Sequence, residues 1–140
     1  MEKTNIMAEI LIFGDDFEPS YISDKLGIAP TDFYIKGENL KYANKQRDHT
    51  CWTWNTGYEI SLDIEEQILQ IVKIFSPKID ILDKLKSDLS LEYKVGVVIN
   101  VENGESPAIF LSMRTLQFLN AIKSEFDCDL YVSSFIEETL

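Results

Sequence analysis

The chain holds a single histidine, His49, and a cysteine two positions on, Cys51. Residues at i and i+2 of an extended segment share a face, so a thiol–imidazole pair that activates a nucleophile is geometrically open here. Any nucleophile–histidine–acid triad has to use His49, the one side chain whose ordinary pKa lies near neutrality. The companion signals of such chemistry are missing. There is no Gly-x-Ser-x-Gly elbow, no Gly-x-Gly-x-x-Gly, no phosphate-binding loop and no His-Glu-x-x-His. His49 is therefore read as a loop histidine, no catalytic residue is assigned, and the chain is not expected to be an enzyme.

Other groupings carry weaker chemistry. Asp15, Asp16 and Glu18 fall together, and carboxylates attract hard cations. Their spacing is not that of an EF-hand loop, and at a strand–helix junction they complement the helix dipole. Cys51 and Cys128 lie far apart with no Cys-x-x-Cys, and one histidine does not complete a clustered ligand set. No metal and no cofactor are expected. Both thiols read as small buried apolar residues, and a disulfide would require them to be adjacent in space. Trp52 and Trp54 share one face of an alternating segment: exposed, they offer a stacking surface; enclosed, they are core. The segment 36–49 is the one basic island. It holds Lys36, Lys41, Lys45 and Arg47 against Glu38 and Asp48, +4 − 2 = +2, so the net −11 leaves −11 − 2 = −13 for the rest. With Tyr42 this loop has the groups to grip an anion or an acidic partner. The binding candidates are Lys36, Tyr42, Arg47, His49, Trp52 and Trp54.

These residues must be positioned by elements that hydropathy patterning and turn residues mark out. Met7 to Phe13 is strand-like and closes at Gly14-Asp15-Asp16. Pro19 suits the first turn of a short helix with Ile22 and Leu26 on one face; Gly27 supplies a left-handed C-cap and Pro30 blocks continuation. Asp32 to Lys36 reads as a second strand, Glu38 to His49 as a loop, and Thr50 to Tyr58 as a third strand. Asp63 with Glu66 resembles a capping box. It opens a helix whose apolar face is Ile64, Ile68, Ile71, Val72 and Phe75. Ser76-Pro77 breaks it, and Ile79, Leu82, Leu85 and Leu89 continue the stripe. Leu91 to Val101 is a long strand, Asn103-Gly104 a tight hairpin turn, and Pro107 to Leu111 its returning partner. Ser112 caps a helix with the face Leu116, Leu119, Ile122 and Phe126; Cys128 to Ser133 closes as a strand, and Glu137-Glu138 ends in an acidic tail.

The order β-α-β-β-α-α-β-β-α-β predicts an α+β domain over 1–140, a mostly antiparallel sheet covered by helices. Ferredoxin-like βαββαβ elements can be laid over its first part. Its length suits one domain, and 45% hydrophobic against 26% charged residues is a globular balance. The net charge of −11 argues against nucleic acid, whose binding rests on Lys and Arg, and against an anionic membrane surface. Met1 to Phe13 lacks the basic start and long apolar run of a signal peptide, and no run reaches membrane-spanning length, so a cytoplasmic location is expected.

The run Ile10 to Pro19 (ILIFGDDFEP), then Leu26 to Pro30 (LGIAP), then Lys36-Gly37-Glu38, then the Trp52 strand, resembles the bacterial domain of unknown function family numbered 4279. The long helix, the strand with its turn, the following helix and Asp129 to Val132 fit the same order. The resemblance covers nearly the whole chain. It implies a bacterial origin and a compact α+β domain, and it supplies no catalytic residues. Taken with the −13 outside one loop, it leads to a non-enzymatic protein-interaction module, of immunity or inhibitor type, that covers a basic protein partner. The alternative is a small-molecule-binding or regulatory domain using the 36–49 loop.

Overall fold

The computed structural model describes residues 2–42 and 44–133. Six strands form one sheet: β1 (Asn5–Gly14), β2 (Asp32–Tyr34), β3 (Thr50–Asn55), β4 (Glu59–Ile60), β5 (Glu92–Val101) and β6 (Ser124–Val132). Between them lie α1 (Pro19–Leu26), α2 (Ile64–Phe75), α3 (Ile79–Leu89) and α4 (Met113–Ala121), with a 3-10 turn at Ser76–Lys78 where Pro77 interrupts α2. The sheet order is β2-β3-β1-β5-β6, with β4 pairing the start of β1. β1 is antiparallel to β3 and to β5, β2 is antiparallel to β3, and only β5 and β6 run parallel. Hence β1 and β2 are parallel with β3 between them, and β3 and β5 are parallel with β1 between them. These two interleaved split βαβ units are the ferredoxin-like βαββαβ arrangement, extended at one edge by α4 and β6.

The core follows from alternation. β1 turns Ile6, Ala8, Ile10 and Ile12 to one side, each wholly enclosed, and pairs them with Trp52 and Trp54 on β3 and with Tyr93, Val95, Val97 and Ile99 on β5. The helices lay their apolar faces on this same side: Ile22 and Leu26 from α1, Ile64, Ile68, Ile71, Val72 and Phe75 from α2, Leu82 and Leu85 from α3. Each fully buried aliphatic side chain contributes about 1.5–3 kcal/mol relative to exposure. Two polar atoms are satisfied inside. Trp52 Nε1 donates to Ser23 Oγ at 3.0 Å, and the Tyr93 hydroxyl donates to the Leu82 carbonyl at 2.5 Å.

Local signals hold at the helix ends. Gly27 is left-handed at φ 68, and Ser112 accepts from the Thr115 N–H as N-cap of α4. The box at Asp63 is built differently from the expected one. Asp63 accepts from the Glu65 N–H, while Glu66 is held by the hydroxyl of Ser61, which also accepts from the Asp63 N–H.

Three expectations are corrected. Asn103 (φ 53) and Gly104 (φ 70) do form a turn, closed by Glu105 N donating to the Glu102 carbonyl. No strand returns from it, because both edges of β5 are taken, by β1 and by β6. Residues 105–112 instead cross to the start of α2, where the Ala108 N–H donates to the Leu62 carbonyl. The third strand stops at Asn55, since Gly57 is left-handed at φ 71; the chain turns and re-enters as β4. The α4 face is rotated from the expected one: Thr115, Phe118, Leu119 and Ile122 are buried, Leu116 is exposed, and Phe126 belongs to β6, which begins at Ser124. The acidic tail Glu137-Glu138 lies outside the described residues. Among the described residues, no helix is long and apolar enough to cross a membrane.

Candidate functional site

Among the described residues no helix lies on the other side of the sheet, which is enclosed only at its Cys51 end, and strand register fixes what stands there. One row across it reads Asn55, Glu9, Gly96, Asp127; the next toward the start of β1 reads Met7, Val98, Asp129; the next the other way reads Thr53, Leu11, Lys94, Glu125; beyond it stand Cys51, Phe13 and Glu92. Gly96 leaves a notch between the carboxylates of Glu9 and Asp127, and a methyl group there would lie 3.3 Å from the Asp127 carbonyl. Lys94 is the one ammonium in these rows, 3.6 Å from the Asp127 carboxylate. Burial pushes the Glu9 carboxyl up, and the Asp129 charge adds to it; Lys94 opposes this and Asp127 reinforces it. Such a notch is complementary to the head group of a lysine or arginine from outside. Among the described residues no group of three or more His, Cys, Asp or Glu is placed to hold a metal ion.

The end of the same face, around β2 and β3, holds a hydrogen-bonded chain. The Tyr34 hydroxyl and His49 Nε2 lie 2.5 Å apart, and His49 Nδ1 lies 2.5 Å from Asp48 Oδ1. A phenol donating to Nε2 leaves Nδ1 to donate to the carboxylate, an arrangement that orients the ring between the two partners. The phenol is suited to that role, because burial first and the neighbouring Cys51 second push it up to about 12. The Asp48 carboxyl is held below its usual range by the His49 hydrogen bond. The Arg47 guanidinium lies over the Tyr34 ring, 4.0 Å from its centroid. Lys36 is tied to Asp15 at 2.7 Å. Leu11, Phe13, Tyr34, His49, Cys51 and Lys94 line a shallow depression of about 290 Å³ here.

The sequence-selected residues therefore separate. Lys36, Arg47 and His49 converge on this corner. Tyr42 projects from the loop, 97% exposed, away from them. Trp52 is wholly enclosed and Trp54 half-buried, both edge-on to Phe75, so Trp52 is core and offers no stacking surface. Both ring nitrogens of His49 are engaged by Tyr34 and Asp48, while Cys51 Sγ faces Thr53 Oγ1 at 3.5 Å, and burial pushes its thiol up. That arrangement opposes a reactive thiolate. Cys51 and Cys128 are free and stand on opposite sides of the sheet, three strand spacings or about 14 Å apart sideways and further still along the strands, beyond the roughly 7 Å reach of a disulfide. Sequence reasoning missed Tyr34, Glu9, Lys94, Asp127 and Asp129. The alternation of acidic with apolar residues through Glu125, Asp127 and Asp129 was the available signal; the register that brings Glu9 beside them was not.

Comparison with known proteins adds a family and no activity. A family model described as Domain of unknown function (DUF4279) matches residues 2–133. No curated protein and no solved structure matches. With nearly the whole chain matched, this protein belongs to the DUF4279 family, a domain of unknown function.

Proposed function

We propose that the protein is a non-enzymatic interaction module that docks a basic protein partner on its uncovered sheet face. The observation that carries this is the notch over Gly96. Glu9, Asp127 and Asp129 surround it, the Glu9 carboxyl is raised by burial and by its acidic neighbours, and Lys94 is the one cation in the adjoining rows. A lysine or arginine arriving there relieves carboxylate repulsion, and the half-buried Met7, Leu11 and Val98 around it supply apolar contact. The test is capture from source-cell lysate by the wild type and by a Glu9→Gln/Asp127→Asn/Asp129→Asn variant at low and moderate salt. A retained basic protein that is lost both with salt and with the variant supports the reading. Equal retention by the variant removes the notch from it.

A second reading, a small anionic ligand at the Tyr34–His49 corner, is favoured by Lys94 and His49 lining the 290 Å³ depression and by the Arg47 guanidinium over the Tyr34 ring beside it. A thermal-shift screen of phosphorylated and carboxylated metabolites tests it, since a ligand that binds only the native state raises Tm. A flat response in the wild type, or an equal response in His49→Ala, counts against it.

A further inference from the structure

We infer that β6 is an edge at which an extended segment of another protein, with basic and apolar residues in alternation, adds as a further strand. This deepens the basic-partner reading and rests on it. β6 is the last strand of the sheet and is nine residues long, paired along its length with β5 alone. Its outer edge carries backbone N–H and C=O groups without a strand partner among the described residues. The Ser133 N–H donates to the Val101 carbonyl, so by strand alternation the even-numbered residues turn their backbone groups outward.

The side chains specify the occupant. Glu125, Asp127 and Asp129 stand at i, i+2 and i+4 on the uncovered face, and among the described residues the one cation paired with them is Lys94, at Asp127. On the helix face, Leu130 is 52% and Val132 63% exposed. α4 lies against β6 and leaves Met113 and Leu116 exposed on the same side. An incoming strand therefore meets carboxylates on one of its faces and apolar surface on the other. A second copy of β6 would set three carboxylates against three carboxylates, and like charges directly opposite are destabilising. Lysines or arginines at alternate positions turn that repulsion into cross-strand attraction.

The probe is a fluorescent eight-residue peptide alternating Lys and Val, with a copy N-methylated at alternate backbone nitrogens. Binding to the full chain is measured by polarisation at low and moderate salt, with amide hydrogen exchange of β6. The inference expects saturable binding, slowed exchange across 124–132, and loss of binding on N-methylation, which blocks pairing without altering the protein. It also expects about tenfold weaker binding to Glu125→Gln/Asp127→Asn/Asp129→Asn, from three cross-strand charge pairs. Equal binding of the N-methylated peptide overturns strand addition. If that binding is lost in Glu9→Gln, face docking by charge survives. No binding of either peptide also overturns strand addition, while the lysate capture decides the broader reading. Concentration-dependent dimerisation that protects β6 assigns the edge to a second copy and overturns the inference as well.

Discussion

Glu65 is a carboxylate in the first turn of α2 with only 6% of its surface exposed. It accepts from the Ser112 N–H and, at 2.9 Å, from the Thr115 hydroxyl, and so fastens the start of α4 to α2. Because α4 leads directly into β6, this contact holds the edge strand's approach. Glu65→Ala removes two hydrogen bonds to a charged acceptor, about 1.5–3 kcal/mol each, and strands the donor of the wholly buried Thr115. Relief of the buried charge offsets part of this. A net loss of about 2–4 kcal/mol follows, or a fall in Tm of roughly 8–16 °C at about 4 °C per kcal/mol for a chain of this size. Glu65→Gln keeps the shape and one acceptor, and should cost about 1 kcal/mol. Urea and thermal unfolding of both variants, with Thr115→Val and the Glu65→Ala/Thr115→Val double variant, measure the coupling. A coupling of more than about 0.5 kcal/mol is expected for groups in contact. If Glu65→Ala unfolds with the wild type, or the two sites add independently, the anchoring role assigned to Glu65 is wrong.

Three other outcomes follow from the geometry. The Glu9 carboxyl is raised in the fold, so its stability contribution is present below the ordinary glutamate value of 4.5 and is lost as pH rises through the folded pKa. Glu9→Gln should therefore raise Tm at pH 7, with a gain that shrinks to nothing as pH falls below 4.5; a gain that persists in acid would refute the electrostatic cause. Tyrosinate absorbance should show a phenol ionising near pH 12 that is lost in Tyr34→Phe while the still later phenol of the buried Tyr93 remains, and nitrogen NMR of His49 should place the proton on Nδ1. A proton on Nε2 contradicts the assigned chain. Thiol labelling of the native protein should be slow, with Cys128 ahead of the enclosed Cys51 and both free on denaturation; a disulfide in freshly purified protein would contradict their separation across the sheet.

Much of the architecture was legible because its signals act over a few residues. The alternation from Met7 to Phe13, the Ile64-to-Phe75 stripe, the Gly27 cap, the Pro77 break and the Ser112 cap each depend on backbone geometry within one or two turns, and each stands where its pattern puts it. The expected return after Asn103-Gly104 failed for a non-local reason. The turn chemistry was right, but a strand needs a free edge, and the parallel crossover through α4 had placed β6 there. The α4 face slipped because the buried Thr115, which is polar, reads as surface until the Glu65 carboxylate is seen to satisfy it.

The site divides the same way. The sequence by itself determined the acidic excess, the basic island that contains Lys36, Arg47 and His49, and an α+β chain of ferredoxin-like pattern. Only the tertiary structure decided that Trp52 is core, that His49 is spanned by Tyr34 and Asp48, and that Glu9 shares a notch with Asp127 across Gly96. Asp48 adjoins His49 in the chain, but Trp52, Tyr34 and the Glu9–Gly96–Asp127 row meet their partners from other elements of the fold. Their distances are set by strand order and register, which the sequence specifies through the summed packing of the whole core and through no short pattern.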